Sequence, residues 1–180
     1  MKVEAEELIN YHCPRWNELP EIELYIDQVI CVLQSNLSIF SKEENSPVIT
    51  PNMINNYVKQ EVLKPPVKKK YNKTHLAYLF VICILKRLMS ISEINESIKS
   101  MQKTYSVEDG YNVFCEELEK ALKNAFNPEI ETPPMFTESD TREYATLKAI
   151  VAAFADCILV DRLISVSYTH LRAHETGRNL

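Results

Sequence analysis

Thr50-Pro-Asn-Met-Ile-Asn-Asn-Tyr-Val-Lys-Gln60 is the stretch that decides the fold. Threonine suits the cap before a helix, and proline suits its first turn, where an N–H would go unpaired in any case. Met53, Ile54, Tyr57 and Val58 recur at helical spacing and form an inward face. Asn52, Asn55, Asn56 and Lys59 fall at i, i+3, i+4 and i+7 and share the other face. Asparagine can pair bidentately with adenine in the major groove, and lysine can reach guanine or phosphate, so these four are the candidate base-contacting residues. The plain alternative is a solvated helix face.

The residues that follow weigh against the plain alternative. Between Lys59 and Lys73 there are six lysines and one acid, Glu61, whereas Met1 to Asp27 holds two basic and seven acidic residues. Clustered like charges repel, and phosphate contact supplies a reason for such a block inside a chain of net charge −5. Lys64-Pro65-Pro66 excludes helix, so a loop follows as far as Tyr71. Thr50, Lys64, Lys68, Lys69, Lys70, Tyr71, Lys73 and His75 are the candidate phosphate contacts. Asn72 caps a helix through Arg87, with Leu76, Leu79, Phe80, Cys83 and Ile84 placed for deep burial. Ser90-Ile-Ser-Glu93 is a capping box that opens a helix to about Met101. Helix, basic proline-bearing loop, helix is the order of a helix-turn-helix followed by a wing.

Outward from this centre the chain reads as helical. Leu19-Pro20-Glu21 is expected to start a helix that runs to about Leu37, with a stripe at Ile22, Tyr25, Ile26, Val29, Ile30 and Leu33. Ser41 to Pro47 reads as a loop. Ser106 caps a helix that buries Tyr111, Phe114, Leu118 and Leu122, and Pro128 and Pro133-Pro134 end it. Ser139 or Asp140 is expected to open the last helix, through Leu147, Val151, Phe154 and Ile158. Residues 1–165 are read as one compact helical domain, with 50–101 the DNA-binding part and 106–165 a helical C-terminal part. Val166 to Thr176 resembles the conceptual translation of a transposase sequencing adapter, so 166–180 is set aside as a non-native tail, its His170/His174 pair included.

Two family resemblances bear on the same residues. Ile54-x-x-Tyr57, Val62-Leu63-x-Pro65, Lys69-x-Tyr71, the leucine and isoleucine run Leu76 to Leu85, and Ser90-Ile91-x-Glu93-Ile94 resemble the MerR-type winged-helix pattern over about 50 residues. That resemblance implies a recognition helix, a wing and the helix pair after them. The chain departs from it in several places. It has Asn55 and Asn56 where such proteins usually carry arginine and tyrosine, and Glu61 where they have glycine. About twelve residues separate Leu37 from Thr50 in place of a tight turn, and no long dimerising coiled coil is visible. The longer run from Pro14-Arg-Trp-Asn-Glu-Leu-Pro20 through Ile49–Gln60 to Pro66-Val-Lys-Lys-Lys-Tyr71 is similar to the family called domain of unknown function 1836. This resemblance implies a bacterial helix-turn-helix regulator.

Composition narrows the remaining classes. Only two glycines occur, Gly110 and Gly177, so no backbone loop can cradle a phosphate closely, and a nucleotide-using enzyme is disfavoured. The longest apolar run, Leu76 to Leu85, is too short to cross a bilayer, which needs about 20 residues. Cys13, Cys31, Cys83, Cys115 and Cys157 lack paired spacing and read as reduced core thiols of a cytoplasmic protein. His12 beside Cys13 does not make a four-ligand metal site. Tyr144, Asp156 and Asp161 read as exposed or interface residues rather than an effector pocket. The expectation is an all-α, MerR-like winged-helix protein that binds double-stranded DNA. It is expected to have no cofactor, metal or catalytic residue and no membrane contact, with a homodimer on two half-sites as the possible assembly. The rival is a non-enzymatic adaptor that uses the same basic surface on a protein partner.

Overall fold

A computed structural model describes residues 2–41, 46–127, 129 and 134–176, the side chains of 2–4 and 166–176 excepted. Seven α-helices occur among them: α1 (Lys2–Ile9), α2 (Ile26–Leu37), α3 (Pro51–Lys59), α4 (Lys73–Leu85), α5 (Ile91–Met101), α6 (Val107–Phe126) and α7 (Arg142–Thr176). Short 3-10 turns lie at Trp16–Glu18 and Ser38–Phe40. No strand occurs among the described residues, only isolated antiparallel bridges at Leu24–Tyr71 and Val67–Lys70. The all-α expectation therefore holds. Pro128, Pro133, the middle of the 41–47 loop and the adapter-like side chains lie outside the described residues.

Helix α4 is the centre. Leu76, Ala77, Leu79, Phe80 and Ile82 to Leu85 are all buried, so the helix is apolar around its whole circumference and is wrapped by others. It packs on α2, α5, α6 and α7, while α6 and α7 lie along each other and α1 covers α6. Start signals are local and appear as read. Thr50 Oγ1 accepts the Met53 N–H at 3.3 Å. Asn72 Oδ1 accepts the His75 N–H at 3.2 Å. The Ser90 amide donates to Glu93 Oε2 at 2.8 Å, closing the capping box. Ser106 Oγ accepts the Asp109 N–H at 3.0 Å.

Three expectations change. Residues 19–25 are not helix: Leu24 pairs with Tyr71, so α2 starts only at Ile26, and Ile22 and Tyr25 face solvent. The last helix starts at Arg142, with the Thr141 hydroxyl accepting the Tyr144 N–H at 3.2 Å, because Asp140 is occupied by Thr137 and Lys148. Cys31 is exposed and Cys157 half-buried, so only Cys13, Cys83 and Cys115 pack as core thiols.

Helix α3 ends in a Schellman motif. The Val62 N–H donates to the Tyr57 carbonyl and the Glu61 N–H to the Val58 carbonyl, both at 3.1 Å. The residue between is Glu61, left-handed at φ 57°. A side chain there costs on the order of 1 kcal/mol relative to glycine. Glu61→Gly is therefore expected to raise the melting temperature by about 2–4 °C. A lower melting temperature in calorimetry would refute the strained cap.

Candidate nucleic-acid interface

The sequence leads from α3 directly into a lysine hairpin. On α3, Ile54 and Tyr57 are buried and Met53 and Val58 half-buried, while Asn52, Asn55, Asn56 and Lys59 are exposed. Among the described residues none of these four side chains has a hydrogen bond or an ion pair. The amide stripe is thus free on the solvent side, with its backbone fixed by the Thr50 cap and the Schellman end.

Beyond the cap, Val62 and Leu63 are buried and turn the chain back onto α3. Two prolines then carry it to Val67. Val67 and Lys70 exchange backbone hydrogen bonds of 3.2 and 2.9 Å around Lys68 and Lys69. Both tip residues have positive φ, 50° and 63°, the sign pattern of a type I′ hairpin turn. Asparagine and glycine normally fill those positions. Here two exposed lysines hold them.

The hairpin is anchored at its base. Leu24 and Tyr71 exchange two backbone hydrogen bonds of 2.8 Å, which ties the lysine loop to the segment before α2. This register puts Tyr25 next to Lys70, whose Nζ lies 5.6 Å from the ring centroid. Glu21 accepts an ion pair from Lys73, whose Nζ also lies 5.5 Å from the Trp16 ring centroid.

His75 locks the other side. Its Nδ1 accepts the Asn72 N–H at 3.1 Å, and its Nε2 donates to the Lys64 carbonyl at 3.2 Å. Nδ1 also lies 2.7 Å from Asn72 Oδ1, so the ring is tied to both the backbone and the side chain of Asn72. Burial pushes its pKa below the ordinary 6.5, against the pull of the Lys64 and Pro65 carbonyls. The unfolded chain then takes up this proton as pH falls through about 6.5, before the folded one does, so folding stability drops below that pH. His75→Gln is expected to flatten the melting temperature between pH 6.5 and 5. An unaltered pH slope in that variant would remove His75 from this role.

These placements sort the candidate phosphate contacts. Lys64, Lys68 and Lys69 are exposed and Lys70 is half-buried against Tyr25. Tyr71 is buried at 3% exposure and His75 at 7%, so neither is placed to meet phosphate; they hold the hairpin base. Lys73 is also withdrawn, because its charge is answered by Glu21 and only 13% of its side chain is exposed. The Thr50 hydroxyl oxygen accepts the cap N–H of Met53, which leaves its proton free to donate. Sequence reasoning missed Glu21, Leu24 and Tyr25 as parts of this structure. A signal was present: Ile22, Leu24 and Ile26 alternate with Glu23 and Tyr25, the period of an extended segment.

Shortly before that anchor segment, Arg15 clasps Glu119 of α6 with two 2.7 Å hydrogen bonds, and Glu119 also accepts the Cys13 N–H at 2.9 Å. The segment carrying the hairpin anchors is thereby tied to α6.

None of the curated proteins and none of the solved structures compared with the chain matches it. One family model does, under the description "Domain of unknown function (DUF1836)", over residues 14–126. The match takes in α2 to α6, the lysine hairpin and both members of the Arg15–Glu119 pair, and it covers well over half of the sequence. The chain therefore belongs to the DUF1836 family.

Proposed function

We propose that this chain binds double-stranded DNA in a sequence-dependent way, as a bacterial transcriptional regulator of winged-helix type. One observation carries the reading. An unpartnered amide-rich helix face runs directly into a hairpin whose tip is two lysines in left-handed conformation, anchored by the Leu24–Tyr71 bridge and His75. A strained tip that keeps charge where asparagine and glycine fit better suggests that the charge is selected for contact. In this reading Asn52, Asn55, Asn56 and Lys59 of α3 face bases, and Lys64, Lys68, Lys69 and Lys70 face phosphates. Val160 and Ile164, each about half exposed on α7, offer apolar surface for a second copy, which would place two such units on adjacent half-sites.

Selection of bound fragments from a random duplex pool tests this reading. A recurring motif is expected, with Asn55→Ala lowering discrimination at one position roughly tenfold while affinity for random duplex stays unchanged. No electrophoretic shift on any fragment at low salt rejects it. One observation favours the adaptor alternative: Ile22, Tyr25 and Val67 are 70%, 55% and 64% exposed around the same lysines. Apolar surface of that kind suits a protein partner. If it is the contact, Tyr25→Ser abolishes partner capture and leaves any duplex affinity intact.

A further inference from the structure

Helices α4, α5, α6 and the start of α7 line an open cavity of about 470 Å³, within the range of small-molecule sites. It lies apart from the lysine hairpin. Its walls are mainly apolar, with Val81 and Leu85 from α4, Met101 from α5, Phe114 from α6 and Ile150 from α7. Such walls favour a ligand body of hydrocarbon or aromatic character.

One charged group on the wall separates possible ligands. Glu143, in the first turn of α7, is half-buried against the cavity. Its only polar contact among the described residues is a long hydrogen bond from the Ser100 hydroxyl to Oε1, at 3.4 Å. No lysine, arginine or histidine pairs with it there. The other carboxylates of this region are matched. Glu117 is held by Lys120 at 2.7 Å and by the Tyr144 hydroxyl at 2.8 Å, and Asp140 by Lys148 at 2.8 Å. The remaining charged residues of the wall, Glu96, Lys103 and Arg142, are exposed. A half-buried carboxylate without a paired cation, on a mainly apolar wall, is complementary to an ammonium group joined to an apolar body. At the rim, Gln102 donates to the Tyr78 hydroxyl, which leaves the phenolic proton for a second polar group of the ligand.

We infer that this cavity binds a small amphipathic organic cation, its ammonium on Glu143 and its apolar body between α4 and α6. The site stands on residues separate from the DNA reading and survives if that reading fails.

Titration calorimetry on the full chain with matched probes tests it. 4-Phenylbutylamine, 4-phenylbutanol and 4-phenylbutyrate share one apolar body and differ only in the head group. The amine is expected to bind at least tenfold more tightly than the acid, with the alcohol between them. Glu143→Gln is expected to remove the preference for the amine while the alcohol still binds. Val81→Phe, which fills the cavity, is expected to abolish binding of all three in a chain whose helical circular dichroism is unchanged. Equal affinity of amine and acid, full amine affinity in Glu143→Gln, or no binding at millimolar concentration would each overturn the assignment.

Discussion

Replacing Lys68 by Asn and Lys69 by Gly together is expected to give a chain that melts higher than the parent yet binds duplex DNA more weakly. Both residues are left-handed, at φ 50° and 63°. Asparagine and glycine are the residues a type I′ turn prefers, so the swap relieves strain without opening the hairpin. The gain is about 1–2 kcal/mol, or roughly 3–6 °C in melting temperature. Under the proposed DNA reading two phosphate contacts go at the same time. The slope of log affinity against log salt should then shrink by about 1.8, and affinity at 0.1 M salt should fall on the order of 50-fold. The opposite signs matter, because loss of binding through unfolding would lower the melting temperature as well. Calorimetry and salt-dependent fluorescence anisotropy read the two effects. Unchanged affinity rejects the hairpin as a DNA contact, and a lower melting temperature rejects the turn assignment.

Glu119→Ala is expected to be the most damaging single change among the described polar residues. Its carboxylate receives both Arg15 bonds and the Cys13 amide, with 18% of its own side chain and 23% of that of Arg15 exposed. Truncation orphans a guanidinium and a backbone donor that water reaches poorly, at a cost of about 2–4 kcal/mol. Changing both partners to Arg15→Met and Glu119→Leu should recover much of that loss, since neither then leaves a charge behind. Acid gives an independent reading. Burial pushes the Glu119 carboxyl up, but the Arg15 hydrogen bonds, the Cys13 amide and the Arg15 and His12 charges outweigh it and hold it below its ordinary 4.5. Its contribution is therefore complete above about pH 4.5 and is lost as pH falls through the lower folded value. The gap in urea-melt stability between parent and Glu119→Ala should narrow as pH falls from 7 to below 4.5. A gap that stays constant across that range would show that the carboxylate charge contributes nothing.

The parts of the fold that were legible share one property: their signals and their partners lie within four residues. Thr50, Asn72, Ser90 and Ser106 each cap a helix by accepting the backbone N–H three positions on. The apolar run of α4 announces burial by itself. What escaped is held by distant partners. Nothing near Leu24 says that Tyr71 will pair with it, and a helical stripe read through Ile22 and Tyr25 is locally reasonable until that bridge forms. Tyr71 and His75 sit among lysines in sequence, yet the same bridge and the Lys64 carbonyl draw them inward. The Arg15–Glu119 clasp joins residues 104 apart. The cavity beside Glu143 needs four helices before it has walls. The lysine tip lies between these cases. Its charge was visible, but its left-handed backbone was not, because lysine carries no signal for positive φ.

A tight, doubly anchored loop of consecutive lysines has a consequence for digestion. Trypsin cuts after lysine, but it must first draw several residues of substrate into an extended strand in its cleft. The bond after Lys64 is followed by proline and resists the enzyme, which leaves those after Lys68, Lys69 and Lys70 as its targets in this loop. While Val67 bonds Lys70 and Tyr71 bonds Leu24, none of these bonds can be straightened. Nicking here therefore counts openings of the loop, and its rate under dilute protease measures their frequency.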